Sequence, residues 1–326
     1  MKKRHSPKSM LSAVLAAALV FGGANALAVD KVKIGVFPVS SALPVFVAID
    51  QGFFKEQNID AEIVRLIGGP PNIAALIGGQ IDASAVLVTI EGMNANLKKP
   101  GVAMYLSVNG QNHIHQMEQF VVRKGLDVKS LKDLKGRKIM TAPGPANYLM
   151  AKAVLTIAGL KEGEYQLDQL DMGQHVNAMT AGTFDAGYTL EPNATVMRKN
   201  GVAYTLESGV IAKYVLGDPN ANAWAAGGVI SSDFMKNRPE VARRFAAAWT
   251  KAIDFINSNP KEARKSLVKN TFTPPDVVDT VPLVKFTNVA DLTNRDRQDF
   301  QAFIDYSTRN GVLPEQIDVN KYLLKF

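Results

Sequence analysis

The chain has no cysteine, and among its 326 residues there are only four histidines and two tryptophans. Without cysteine there is no disulfide framework, no catalytic thiol and no acceptor for a lipid anchor. The short patterns that carry chemistry are missing as well: no G-x-S-x-G elbow, no Walker loop, no H-E-x-x-H and no G-x-G-x-x-G occurs. Hydrolase, NTPase, zincin and dinucleotide chemistry are thus left without their usual sequence carriers. The paired arginines of a twin-arginine signal are absent, and no stretch reads as low complexity.

What is present begins with Lys2, Lys3, Arg4 and Lys8 ahead of an apolar run from Met10 to Val20 and the ending Ala26-Leu27-Ala28. This is the pattern of a secretory signal peptide over residues 1–28, cleaved after Ala28, and it predicts a periplasmic product of the general export route. Gly22, Gly23 and Asn25 interrupt the run, whereas a spanning helix wants about 20 predominantly apolar residues. Removing residues 1–28 takes four of the 37 Lys and Arg and none of the 30 Asp and Glu, leaving 33 against 30, a net +3 instead of +7. No basic block interleaved with aromatics remains to suggest nucleic acid. The residual positive potential still favours an anionic ligand.

Short β-branched runs alternate with longer amphipathic stretches, which predicts an α/β chain with a parallel sheet. Strands are expected at Lys31 to Phe37, Ala61 to Leu66, Asp82 to Leu87 and Arg137 to Thr141. Helices are expected at Pro44 to Gln51, Pro70 to Ile77, Ile90 to Leu97 and Asn147 to Ile157. The longest helix should run from Pro239 to Asn257, with Val241, Phe245, Ala248, Trp249, Ala252, Ile253 and Ile256 on one face. Pro239 suits a first helical position, and that stripe is core.

One segment repeats. Ala75-Leu76-Ile77-Gly78-Gly79-Gln80-Ile81-Asp82-Ala83-Ser84 recurs as Ala178-Met179-Thr180-Ala181-Gly182-Thr183-Phe184-Asp185-Ala186-Gly187, each reading as helix end, glycine turn and strand start. Each copy lies in its own run of strands and helices, which suggests two similar lobes. Such a chain places its ligand between sheets, outside the carboxyl ends of the strands.

Several expected strands end in small polar or glycine loops that open a helix. Ser40 and Ser41 precede one, Gly69 and Pro70 open another, Thr89 a third, and Gly144 with Asn147 a fourth. Helix N-termini present unpaired N–H donors and partial positive charge, so converging ends make a site for a sulfonate or carboxylate without Arg or Lys. The same residue types are the usual helix caps, so any single position reads first as a cap, and only their convergence at one cleft favours function.

The run Ala48-Ile49-Asp50-Gln51-Gly52-Phe53-Phe54-Lys55-Glu56, the pair Gly68-Gly69-Pro70-Pro71, the segment Gly79-Gln80-Ile81-Asp82-Ala83 and the run Asp133-Leu134-Lys135-Gly136-Arg137-Lys138-Ile139 occur in that order. They are followed by Glu191-Pro192 and by Arg238-Pro239-Glu240-Val241. In these features the chain resembles the type II periplasmic binding proteins of the sulfonate, taurine, nitrate and thiamine-precursor importers. The resemblance implies a two-lobed fold with two hinge crossings and a ligand cleft between the lobes. Lobe one would comprise 29–117 plus 226–326 and lobe two 118–225, with crossings near Glu118 to Val122 and Ala226 to Ile230.

It also implies a monomeric substrate-binding component of an ABC importer, not an enzyme and without cofactor. Such a protein takes a small organic anion, a sulfonate or an aromatic or aliphatic carboxylate, by hinge closure and hands it to an inner-membrane permease with its ATPase. The alternatives are a pyrimidine or thiamine precursor or nitrate as ligand, or a sensor subunit that presents solute to a membrane receptor. A thiamine-pyrimidine synthase that consumes its own histidine shares the fold.

Glu191, before Pro192, stands where the family has a Glu-Pro pair facing the cleft. It either accepts from a ligand amine or hydroxyl, or closes the lobes by pairing across them, or simply sits in the first turn of a helix, where negative charge is favourable. Trp224 either covers an apolar part of the ligand or is core. His113 and His115 with Glu118 form a pattern short of a metal set, lacking a third and fourth firm ligand, and no metal is expected. His175 is expected to cap a helix or to face solvent.

Overall fold

The computed structural model describes residues 29–271 and 273–324; the expected signal peptide lies outside the described residues. Among the described residues, eleven strands form two sheets. They are β1 (Asp30–Val36), β2 (Ile59–Arg65), β3 (Ala83–Val88), β4 (Met104–Gln111), β5 (Glu118–Arg123), β6 (Lys138–Thr141), β7 (Gln166–Gln169), β8 (Ala186–Leu190), β9 (Ala203–Ser208), β10 (Ala223–Ile230) and β11 (Lys285–Asn288). One sheet has the order β11-β4-β10-β3-β1-β2, the other β7-β6-β8-β5-β9. This is the two-lobed α/β architecture that the alternating pattern implied.

The sheets are mixed, which corrects the expectation of a parallel sheet. β1 pairs in parallel with β2 and β3, and β6 with β7 and β8. β10 runs antiparallel to β3 and β4, and β5 antiparallel to β8 and β9. The physical reason lies in the crossings. β5 and β10 are the strands that receive the chain from the opposite lobe, so they start at the cleft, where the parallel strands end, and run away from it.

The segments expected as crossings, Glu118 to Val122 and Ala226 to Ile230, are thus laddered strands. The links between sheets lie ahead of them, at 112–117 and within 209–222. Trp224, which the 118–225 span assigned to lobe two, sits on β10 of the six-stranded sheet.

The internal repeat has the same geometry in both copies. Gly79 and Gly182 take φ of 65° and 73° after their helices, and Gln80 and Thr183 each donate back to the helix end, to Ala75 O at 2.8 Å and Ala178 O at 3.0 Å. The aspartates that follow are equivalent as well. Asp82 Oδ2 accepts from Lys33 N at 2.9 Å in β1, and Asp185 Oδ2 from Lys138 N at 3.2 Å in β6. Each faces an arginine, Arg238 at the end of the helix that follows β10, at 3.8 Å, and Arg123, the last residue of β5, at 3.1 Å.

The helix Pro239–Ser258 buries the whole expected stripe. Its Phe245 stacks on Phe54 and Trp249, with ring centroids 5.2 and 5.9 Å apart. Trp249 Nε1 donates to Ser107 Oγ at 2.9 Å, tying the helix to β4. This packing fixes β4, whose last residues reach the cleft.

Candidate functional site

The ends of β1, β3, β4 and β8 and the starts of β5 and β10 surround one cavity between the sheets, of about 40 Å³. A water needs roughly 10–15 Å³ by the same measure, so the space holds a few waters and the lobes must part to admit an organic solute. Most of the wall is apolar, with Phe37, Val39 and Val86 from the six-stranded side and Met150, Leu190 and Ile211 from the other. The polar side chains on it are Ser41, Asn109, Gln111, Glu118, Asn147 and Tyr188, and among the described residues no Lys, Arg or His lines it.

The strand registers explain how the polar cluster forms. Glu118 opposes Leu190 and Phe120 opposes Tyr188 in the β5–β8 ladder. With the two-residue period of a strand, Glu118, Tyr188 and Leu190 therefore share one face. Asn109 and Gln111 occupy alternate positions near the end of β4, and Gln111 Oε1 accepts from Glu118 N at 3.3 Å across the first link. Asn109 Nδ2 donates to Ser41 O at 3.1 Å. The Glu118 Oε2, Tyr188 hydroxyl and Asn109 Oδ1 atoms are buried without a hydrogen-bond partner among the described residues. Burial pushes the Glu118 carboxyl up to about 7, against bonds from its own backbone and from Gln111 that lower it. The Tyr188 phenol stands well above its usual range, first through burial and then through the nearby Glu118 charge.

A second carboxylate closes the cavity's rim. Glu91, on the helix Thr89–Lys98 of the six-stranded lobe, lies against Gly69 of its own lobe. It reaches Ala146 N, in the first turn of the helix Pro145–Ile157 of the other lobe, at 3.4 Å. Burial raises it to about 7, with the Ala146 N–H opposing.

Of the nine residues expected to meet ligand, Ser41 and Asn147 line the cavity. Ser40 stands beside it: its N–H donates to Glu191 O at 3.1 Å across the lobes, and its Oγ lies 3.4 Å from Met117 Sδ. Gly69 is covered by Glu91, and Pro70 is exposed outside the rim. Gly144 N donates to Gln169 Oε1 at 2.8 Å.

Thr89 is fully buried, its Oγ1 donating to Trp224 O at 2.7 Å. Trp224 is itself fully buried in the core beside Gly110, off the cavity wall. None of Ser40, Ser41, Thr89 and Asn147 makes a helix-cap bond, so the capping reading fails for all four.

Glu191 is turned away from the cavity. Its carboxylate is fully buried in the β5–β9 lobe, paired with Arg198 at 3.3 Å, hydrogen-bonded by Gln119 and by Thr195 N. Burial still holds its carboxyl above the usual range, against Arg198 and Thr195.

His113 and His115 are separated by their own partners, Pro219 O at 2.8 Å and Leu283 O at 3.3 Å. His175 is buried, against the expectation of a cap or a solvent-facing ring. It bonds Thr189 Oγ1 at 2.9 Å and Leu170 O at 3.0 Å, and burial lowers it to about 4. The residues that sequence reasoning passed over are Asn109, Gln111 and Tyr188, while Glu118 was noticed only as a metal candidate. Their common signal is position at the cleft end of a strand.

A family model described as NMT1/THI5 like matches residues 40–263. A putative binding protein of Brucella abortus is 23% identical over 223 residues, 67% of this chain and 64% of that protein, so the match spans just under two thirds of that relative. The 4-amino-5-hydroxymethyl-2-methylpyrimidine phosphate synthase THI5 of Saccharomyces cerevisiae is 24% identical over 240 residues, 71% of this chain and 68% of that one. Among solved structures, the alkanesulfonate-binding protein SsuA from Xanthomonas axonopodis pv. citri bound to MOPS superposes with a TM-score of 0.71 at 17% identity, covering 91% of this chain and 99% of that one. With more than half of its length matched by the family model, the chain belongs to the NMT1/THI5-like family, and its superposition on this neighbour over 91% of its length gives it the two-lobed fold of periplasmic binding proteins.

Proposed function

We propose that the chain is the substrate-binding component of an ABC importer, exported to the periplasm after cleavage at Ala28, and that it holds a small organic solute between its lobes by hinge closure. The observation that carries this reading is the interlobe cavity itself: apolar walls from both lobes and three buried polar atoms without a protein partner, at the strand ends of both sheets. A solute that touches both walls binds the closed form better than the open one, and this difference in affinity is all that closure needs. The lobes, expected at 29–117 plus 226–326 and 118–225, would instead be the six-stranded unit, with β10 from Ala223 onward, and the five-stranded unit over 118–208, moving about the links at 112–117 and 209–222.

Two features bear on the ligand. The starts of the helices Leu43–Asp50, Thr89–Lys98 and Pro145–Ile157 border the cavity through Ser41, Ile90 and Asn147, which supports an organic anion such as a sulfonate or carboxylate. Against it, the anion position at Ala146 N, in the first turn of the helix Pro145–Ile157, is already taken by Glu91, and among the described residues the wall carries Glu118 but no cation. An apolar body is common to both cases.

The likeness to a pyrimidine phosphate synthase favours one second reading, catalysis on a pyrimidine. The experiment that separates the two is a thermal-shift and small-angle scattering screen of the mature protein against sulfonates, carboxylates, amines and pyrimidines, followed by recovery of the ligand. A ligand at 100 times its Kd adds about 2.7 kcal/mol. Binding with compaction and unchanged recovered ligand supports the importer role; a converted ligand contradicts it.

A further inference from the structure

Building on the solute-binding reading above, we propose that the solute's polar end is a basic nitrogen, an ammonium or amidine group, held by Glu118 Oε2 and Asn109 Oδ1 with the Tyr188 hydroxyl alongside. The inference rests on what each buried atom is able to accept or give. Asn109 Nδ2 is already engaged, donating to Ser41 O at 3.1 Å, so the amide orientation is fixed and Oδ1 is the end that faces the cavity. It only accepts. Glu118 Oε2, once ionised, only accepts as well, and Tyr188 either gives or accepts.

Two acceptors and one group of either sense therefore converge on one cavity, and no Lys, Arg or His on the wall supplies a counter-charge. A sulfonate or carboxylate, which has acceptors alone, would set its oxygens against Asn109 and an ionised Glu118 and leave both unsatisfied in a water-poor space. An N–H group satisfies both at once, and a cation also neutralises the buried carboxylate through a charge-assisted bond. The rest of the wall, Phe37, Val39, Leu190 and Ile211, fits an aromatic or aliphatic body behind that nitrogen. The arrangement resembles a general recognition pattern, a mostly apolar pocket with a few placed polar groups that fix orientation.

The test is calorimetric titration of the mature protein with matched probes that differ only at the polar end: benzylamine, benzamidine and hexylamine against benzenesulfonate, benzoate and hexanesulfonate. The same probes are run on Glu118→Gln and Tyr188→Phe, with each variant's fold checked by its melting transition without probe. The expected result is binding of the basic probes, weakened tenfold or more by Glu118→Gln and less by Tyr188→Phe. Binding of the anionic probes alone, or basic probes indifferent to Glu118→Gln, overturns this inference and leaves the solute-binding reading standing. Silence from the basic probes, with no compaction in scattering for any of the six, overturns both.

Discussion

Glu91 and Ala146 meet across the cleft: a carboxylate from one lobe lies 3.4 Å from the first-turn N–H of a helix in the other. The contact exists only while the lobes are together. That N–H by itself favours the ionised carboxylate, but burial at the closed cleft outweighs it, and Glu118 on the cavity wall is raised by burial in the same way. Both carboxyls are raised to about 7 by burial, from ordinary values near 4.5. A carboxyl raised on closure favours the closed form fully below its ordinary value, and that support is lost as pH rises through about 7. The ligand-free closed population should thus grow as pH falls from 7 to 4.5, by up to about 3 kcal/mol per group. Scattering across this range checks it, and Glu91→Gln with Glu118→Gln should flatten the profile.

His175 should give the opposite slope in global stability. Its ring is lowered to about 4 by burial, so the folded state prefers it neutral. The stability this provides is complete above the ordinary value of about 6.5 and is lost as pH falls toward 4, up to about 3 kcal/mol in all. Urea unfolding at stepped pH reads the loss. His175→Gln should lower stability at pH 7 and shrink the acid-side slope.

Arg198→Met should cost about 3 kcal/mol, because it leaves the fully buried Glu191 carboxylate without its cation. The double variant with Glu191→Gln should recover most of that loss, since no buried charge remains. If Glu191 serves lobe packing, Glu191→Gln alone changes the melting temperature and leaves ligand affinity within about twofold. A loss of affinity without loss of stability would restore Glu191 to the binding site.

Gly209→Ala should stiffen or displace the hinge. Gly209 has φ of 64°, and a Cβ there would lie 2.5 Å from His113 N and 2.7 Å from Asn112 C, both backbone atoms of the other interlobe link. The left-handed backbone alone costs a non-glycine residue about 1–2 kcal/mol, and the clash adds to it. The two links are also tied by Asn112 Nδ2 to Asn222 Oδ1 at 3.2 Å. Asn112→Ala should therefore lower the barrier between forms, seen as faster ligand release, where Gly209→Ala lowers thermal stability by several degrees.

The parts of the fold that were legible in the sequence are those with local causes. The stripe from Val241 to Ile256 follows from helical period alone, and the glycine turns at Gly79 and Gly182 from the repeat. The family and two-lobed fold were legible from the order of motifs. The antiparallel direction of β5 and β10 was not, because it depends on where the chain re-enters a lobe, and the alternation of strand and helix does not encode it.

The site was legible in part. Ser41 and Asn147 follow from the rule that cleft residues sit where strands give way to helices. Asn109 sits in an Asn109-Gly110 pair that reads as a turn yet lies within β4, Tyr188 lies mid-strand, and Glu118 reads as polar until Leu190 and Tyr188, some seventy residues later, are laid beside it. Glu191 shows the converse: a family position legible by motif, whose carboxylate is engaged by Arg198, Gln119 and Thr195 within its own lobe.

The measurement that bears most directly on the central claim is small-angle scattering of the mature protein with and without a solute that raises its melting temperature. Hinge closure around a shared cavity predicts a smaller radius of gyration with the solute, and loss of that change when Glu118 is replaced by Lys. A stabilising solute that leaves the radius unchanged, or one bound equally well by the Lys variant, would contradict the account.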